Sequence, residues 1–437
     1  MMSIKAVWIC HFSNQQIRER LPLSKRIFSN AIRVFLGKNA ISYGDFAPWI
    51  TNQIYEFEKF DDVELHVIAP HAGLTRFTYE FEMKSVFYHF FKPELPFLLD
   101  KIVNKLFGRK QRTFRLNRFI VKNFLNKINP DIVNLIGTEN PYYSITSLDI
   151  REYPVFVSAQ TVYTNPDFKK FSGEYNQYRW DLELKIHQKE KYFGCAGRMH
   201  RDLILNNNPD AFIFQNFFPI QKPAEVQEVP KKYDFVFFAA GVTYSKGIED
   251  ALDALALAKK EKPDVTLNVV GKCAVDYKIK LDIIIEALEL SDNVSFNDYF
   301  LIHSDMYQHI KKSQFALLPI QLDVLSSTVV EAMLLGLPLV TYKTTGTPYL
   351  NKDGEAVLLA DIGDTEKLAE NMLKLLNSPE LADKLRKVAK DFAEKEFDNT
   401  ASAKRLLSNY RAVIEHYYNN TPISESQMFD PNEFPLY

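Results

Sequence analysis

Short apolar runs rich in Val, Ile and Phe alternate with amphipathic helical patterns along this chain, and no other feature limits its fold so severely. Residues 4–10 (IKAVWIC), 63–70 (VELHVIAP), 131–137 (DIVNLIG) and 154–160 (PVFVSAQ) are bounded by turn residues and largely apolar, as strands buried on both faces of a parallel sheet must be. Helical periodicity fills the intervals, as at 48–60 (PWITNQIYEFEKF), where Pro48 suits a first helical turn. A polar, proline-bearing stretch at 221–232 interrupts the series, which restarts with strands at 233–241, 265–271, 293–298, 315–320 and 337–342. Two such β/α series imply two doubly wound, Rossmann-like domains facing one another across a cleft. The expected boundaries are 1–215 for the N-terminal domain, 216–398 for the C-terminal domain and 399–437 for a final helix and a polar tail without clear structure.

With 437 residues, 46% of them hydrophobic, the chain buries a large core and favours two domains over one. A net charge of −2 selects no polyanionic partner, and no nucleic-acid-binding signature is present. Cys10, Cys195 and Cys273 are too few and too scattered for a disulfide framework or a metal knuckle, so a reducing cytoplasm is the expected compartment. The N-terminal apolar run is far shorter than the roughly 18–20 residues of a membrane helix and reads as a first strand. Charge is uneven locally: residues 84–127 hold eleven Lys or Arg against Glu94 and Asp100, and Arg112, Arg115, Arg118 and Lys122 share one helix face. That face suits either peripheral contact with anionic lipid at the inner membrane face or plain solvation.

Open parallel sheets bind ligands beyond the carboxyl ends of their strands, so residues that follow strands carry the functional weight. The stretch 321–340 (QLDVLSSTVVEAMLLGLPLV) follows a strand and opens a helix that closes at Gly336. Ser326 or Ser327 is the natural N-cap, and the free N–H groups around Ser327, Thr328 and Val329 would meet an anion with about half a positive charge. Asp323 lies just before that end, where it could accept from sugar hydroxyls, and Glu331 lies one turn inside, where it could take the paired hydroxyls of a ribose. A ligand with sugar, diphosphate and ribose in that order matches acid, helix start, acid. Ordinary capping with a solvated Glu produces the same letters. Elsewhere, Glu139 and Asn140 follow the strand at 131–137, His11 follows the first strand, and Arg198 lies in the cluster GRMHRD (197–202), which could touch an acceptor phosphate; each is an acceptor-side candidate or a solvated side chain.

The spacing Asp323-x7-Glu331, followed by AMLLGLPLVTYKTTGTPYLNKDGEAVLL, resembles the signature of family 4 retaining glycosyltransferases (glycosyl transferases group 1). Residues 237–258 and the strand ending in Gly271 are similar to that family's C-terminal domain, and the likeness is specific over roughly 233–360. The resemblance implies a GT-B fold, two Rossmann-like domains with a C-terminal helix crossing back to the N-terminal one. It also implies a UDP- or GDP-linked nucleotide sugar as substrate, no cofactor, and a glycan or lipid-linked acceptor in polysaccharide or glycoconjugate biosynthesis. Carried onto this chain, Glu331 binds the donor ribose, Asp323 meets the sugar hydroxyls, and Ser326, Ser327 and Thr328 meet phosphate or sugar oxygens. Lys246 clamps the diphosphate, Gly44 marks a glycine-bearing loop beside it, and Gln160 stands where many members carry a His near the donor sugar.

The chain departs from the family in several places. Gly241 occupies the usual position of a phosphate-binding Arg, leaving Arg198 or another cation to substitute. Asp323 replaces a Glu, Leu325-Ser326 replace Phe-Gly, and some thirty residues, 11–43, separate the first strand from the Gly44 loop. Chemistry at such a site needs no side-chain nucleophile: Lys246 and the helix start would stabilise charge building on the leaving diphosphate. Retention of configuration is implied by the resemblance alone. No Asp-x-Asp triplet occurs, so metal independence is expected. Dinucleotide, phosphate-loop, zinc-protease and nucleophile-elbow motifs are absent. The competing readings are a sugar-nucleotide epimerase or phosphorylase on the same architecture, and a non-catalytic nucleotide-sugar-binding protein.

Overall fold

The computed structural model describes residues 3–24, 43–93, 113–171, 175–220, 223, 229–297, 300, 302–322, 325–344 and 346–433. Its first sheet contains β1 (Ile4–Ile9), β2 (Val63–Pro70), β3 (Thr78–Met83), β4 (Val86–Phe91), β5 (Ile132–Ile136), β6 (Val155–Ser158), β7 (Tyr192–Cys195) and β8 (Phe212–Gln215). The order is β3-β4-β2-β1-β5-β6-β7-β8, parallel except for β3. Central β1 pairs with β2 and β5, Trp8 lying opposite Val67 and Asn134, and Ala6 to Ile9 are fully buried. The second sheet contains β9 (Tyr233–Val242), β10 (Leu267–Cys273), β11 (Val294–Asn297), β12 (Ser313–Leu318), β13 (Leu339–Tyr342) and β14 (Leu358–Ala360). Its order is β11-β10-β9-β12-β13-β14, all parallel.

Strand order reverses at β1/β5 in one sheet and at β9/β12 in the other, and at such switch points a crevice opens beyond the strand ends. One apolar cluster runs through both halves. Phe217, in the segment between the sheets, packs its ring 5.9 Å from that of Tyr349 and 5.7 Å from that of Phe397. The helix Asn399–Asn419 then returns to the first sheet, as expected of its pattern and family resemblance. Asn134 Nδ2 donates to the Tyr410 hydroxyl at 2.6 Å, and the Tyr410 ring stands edge-on to Phe156 at 5.8 Å.

Three features differ from the sequence reading. The β3–β4 hairpin turns through Lys84 (φ 50°) and Ser85 (φ 62°), two non-glycine residues in the left-handed region, so no glycine-bearing signal announced it. The tail is ordered by β-pairing: Met428 bridges to Phe214, and Phe429 N donates to Ile213 O at 2.8 Å. The basic stretch is less available than its composition suggests, because Arg118 holds Asp149 with two nitrogens and Lys127 reaches Glu80 at 2.9 Å. Arg115 and Lys122 are exposed, and residues 94–112, Arg112 among them, lie outside the described residues. Among the described residues no helix is long and apolar enough to cross a membrane.

Tyr410 is fully buried. Tyr410→Ala should therefore cost about 3–5 kcal/mol in urea unfolding, and Tyr410→Phe, which strands only the Asn134 amide, about 1–3 kcal/mol.

Candidate functional site

A cavity of about 570 Å3 lies between the two carboxyl edges. Its C-terminal wall is built from the segments after β9, β12 and β13. Gly241 lies at the carboxyl end of β9 itself, and Lys246 follows in a short 3-10 turn. Gly247 fixes that turn: its φ is 79°, and a Cβ there would lie 1.8 Å from Pro319 O, so the loop is pressed against the end of β12 as only glycine permits. Gly271 allows a similar approach of β10 to β9, since a Cβ would lie 2.1 Å from Ala239 O. Beyond β12, Gln321 donates to Asp250 Oδ2 at 2.9 Å, and the chain enters the helix Ser327–Leu334.

Ser326 is the N-cap of this helix, but its hydroxyl pairs with Thr328 Oγ1 at 2.9 Å and does not cap the backbone. The first full helical bond is Val330 N to Ser326 O at 3.4 Å. The amides of Ser327 and Thr328 precede it, and both residues line the cavity. Behind them, Glu331 is 8% exposed and is not among the lining residues. Burial pushes its carboxyl from an ordinary 4.5 up to about 7, against the opposing influence of Ser327 and Tyr307. The Tyr307 hydroxyl stands beside it without meeting hydrogen-bond geometry.

The N-terminal wall carries a linked trio. With the Gln160 amide oriented to satisfy both neighbours, its oxygen accepts from Trp49 Nε1 at 2.9 Å and its nitrogen donates to Glu139 Oε1 at 3.3 Å. Asn140 Nδ2 also donates to that oxygen, at 3.2 Å, whereas Glu139 Oε2 is buried without a hydrogen-bond partner among the described residues. Enclosure drives the Glu139 carboxyl up to about 7. The loop after β6 is held from below by Glu183, which accepts from Tyr163 N at 3.0 Å and Thr164 N at 2.6 Å.

Of the candidates named from sequence, the structure brings Lys246, Gly241, Ser326, Ser327, Thr328, Gln160 and Glu139 together around one cavity. Asp323 lies outside the described residues. Gly44, Gly271, Asn140, Arg198 and His11 do not line the cavity. His11 packs on Phe46, which does, with ring centroids 4.6 Å apart, and it hydrogen-bonds Tyr142. Arg198, the suggested substitute cation, instead donates to Pro431 O of the tail at 3.4 Å. Sequence reading missed Trp49, Gln321 and Lys343 as lining residues, and His200 lines the cavity from within the GRMHRD cluster that the sequence had singled out. Gln321 and Lys343 follow β12 and β13 closely, so the strand-end rule held the signal for both.

Residues 220–392 match the family model described as Glycosyl transferases group 1. An uncharacterized glycosyltransferase of Haemophilus influenzae is 28% identical over 152 residues, which is 34% of this chain and 42% of that protein. The chain thus spans less than half the length of this curated relative. Among solved structures, sucrose-phosphate synthase from Thermosynechococcus elongatus aligns with a TM-score of 0.66 at 12% identity, covering 96% of this chain and 100% of that one. HepE from Anabaena, solved with UDP and glucose, gives 0.61 at 13% identity over 94% and 100%. At such identities the likeness is one of fold, and the fold is GT-B. The group 1 resemblance read from the sequence is upheld over 220–392.

A carboxyl whose pKa rises on folding adds stability that is complete below its unfolded value and is lost as pH climbs through the folded one. Glu331, going from 4.5 to about 7, should therefore make the ligand-free protein less stable between pH 5 and 8. Glu331→Gln should flatten that slope by up to about 3 kcal/mol, read from chemical unfolding at the two pH values. Parallel slopes for variant and parent would show that Glu331 is ionised throughout.

Proposed function

We propose that this chain, whose residues 220–392 carry a glycosyl transferases group 1 region on a GT-B fold, transfers a sugar from a nucleotide-sugar donor to a glycan or lipid-linked acceptor. The observation that carries the reading is the cavity itself. It sets a helix start at Ser326–Thr328 and Lys246 on one wall against Gln160 and Glu139 on the other. In this reading the diphosphate lies at the amides of Ser327 and Thr328, where aligned peptide dipoles favour an anion. Lys246, and Lys343 on the same wall, supply positive charge, while Glu331 takes the ribose and Asp323 the sugar hydroxyls. Gly44 and Gly271 act by shaping loops beside the donor. Glu139 and Asn140 serve the acceptor, with His11 supporting that wall through Phe46.

The reaction breaks the bond from the anomeric carbon to the diphosphate oxygen and forms one to the acceptor hydroxyl oxygen. The hydroxyl proton passes to the departing phosphate. Fixed positive groups are worth most where negative charge develops, so they lower the barrier more than they tighten the ground state. Gln160, held by Trp49, presents its amide near the reacting sugar. Retention of configuration and independence of metal belong to this reading through the family resemblance. A UDP-linked donor is favoured by the UDP in HepE. Contact with a membrane surface would involve the exposed Arg115 and Lys122.

Gly241 favours a second reading, donor binding without turnover, because it leaves the wall one cation short of the family pattern. The site has room for the missing side chain: a Cβ at Gly241 would meet only the Thr243 methyl, at 3.8 Å.

A panel of UDP-, GDP- and ADP-sugars tests both readings. At 100 times its Kd the true donor should stabilise the protein by about 2.7 kcal/mol in thermal shift, and Glu331→Ala should abolish that gain. Absence of a shift with every member of the panel would sink the proposal. Gly241→Arg should tighten the donor or raise kcat/KM by about tenfold or more, the worth of one charge-assisted hydrogen bond. Donor hydrolysis by the parent protein separates an enzyme from a binding protein.

A further inference from the structure

The cavity has a second helix start, and it lies on the opposite wall. β7 ends at Cys195, and after Ala196 and Gly197 the helix Arg198–Asn207 begins. Its N-cap is Gly197, which has no side chain to offer, and its first helical bond is Arg201 N to Gly197 O at 3.2 Å. The amides of Arg198, Met199 and His200 therefore precede any helical partner, at the end where the peptide dipoles leave positive charge. Ala196 and His200 both line the cavity.

His200 is the independent observation. The residue is 5% exposed, and its Nδ1 is buried with no hydrogen-bond partner among the described residues. A buried ring nitrogen without a partner costs about 1–3 kcal/mol, and a ligand that reached it from the cavity wall would remove that cost. Two basic side chains, Arg198 and Arg201, stand in the same first turn, each with Asp202 as an ionic neighbour.

We propose that His200 and the helix start at Arg198 form an acceptor-side oxyanion site, taking a phosphate or carboxylate carried by the acceptor. The inference rests on the glycosyltransferase reading for the word acceptor, but not for the site. The two helix starts then face one another across the cavity, one for the donor diphosphate and one for the acceptor's own anion. Glu139 and Asp167 also line the cavity and would repel an anion placed beside them, so the group is confined to the His200 end.

The test is a titration of inorganic phosphate into protein saturated with UDP, so that the donor-side helix is already occupied. Phosphate should bind, His200→Leu should weaken it about tenfold, and His200→Asn, which keeps an N–H near the Nδ1 position, should restore most of the loss. In case the Leu variant fails to fold, the ring of His200 in the parent protein gives a second readout by NMR. Its pKa, lowered by burial to about 4, should rise by one unit or more when phosphate is present. A phosphate affinity indifferent to both substitutions, or a ring titration unmoved by phosphate, overturns the site. Among acceptors, a sugar phosphate, a uronic acid and the neutral parent sugar distinguish the anion's source; preference for the neutral sugar also overturns it. Failure of UDP to bind at all would count against the donor reading and leave the phosphate titration of the free protein to decide this one.

Discussion

Parallel pairing of strands is the constraint from which the rest of this molecule follows. A right-handed β/α crossover returns each helix antiparallel to its strand, so every helix that follows a strand begins at the same edge of the sheet. All unpaired amides of those first turns, and the positive ends of their dipoles, collect along that edge. With 13 of the 14 described strands running parallel within their sheets, both carboxyl edges gather positive helix ends before any lysine is counted. Facing two such edges across a cavity makes a space suited to phosphate on either side. The side chains decide which starts are available. Ser326 gives its hydroxyl to Thr328 and Gly197 has none to give, so neither backbone end is capped by its own residue.

The acidic groups of the cleft are arranged on a different principle. Glu183, fully buried, is satisfied by backbone amides and the Thr138 hydroxyl and holds a loop in place. Glu331 and Glu139 are enclosed with fewer donors, and burial raises both carboxyls toward neutrality. An unsatisfied carboxylate in an enclosed site is expensive, and hydroxyl-rich ligands can remove that cost by donating to it. A site that carries such acids is therefore less stable when empty than when filled by a ligand that donates to them. The same logic explains Gln160, whose amide spans Trp49 and Glu139 and so transmits the position of one to the other.

Much of this was written plainly in the sequence. Strands buried on both faces spell continuous apolar runs, and nine of the fourteen described strands, β1, β2, β5, β6 and β9 to β13, were legible, most of them for that reason. β7, β8 and β14, of three or four residues each, were not picked out. The β3–β4 hairpin escaped because its turn uses Lys84 and Ser85 where glycine or asparagine would signal the backbone. At the site, Ser326, Ser327 and Thr328 were found because the strand-end rule depends only on order along the chain, and Lys246 was found through the family resemblance. His200 and Trp49 reach the cavity from the first turns of helices whose placement depends on packing across the sheet. The burial of Glu331 depends on Tyr307, from a different helix, and pairwise sequence spacing holds no record of that.

Three glycines near the cleft separate geometry from chemistry. Gly247 and Gly271 have left-handed backbones and carbonyls lying within about two ångströms of where a Cβ would stand, so any side chain would displace a strand end. Their identity is dictated by the fold and says nothing about the ligand. Gly241 has neither restriction. Nothing steric keeps an arginine out, so the absence of charge there belongs to the site's electrostatics. With Lys246 and Lys343 as the lysines of the C-terminal wall, the field at the helix start is weaker than an added guanidinium would make it. In the proposed reaction, a weaker clamp on the leaving group would slow its departure and also ease the release of the product nucleotide. A chain limited by release would lose by regaining the arginine, and one limited by bond cleavage would gain.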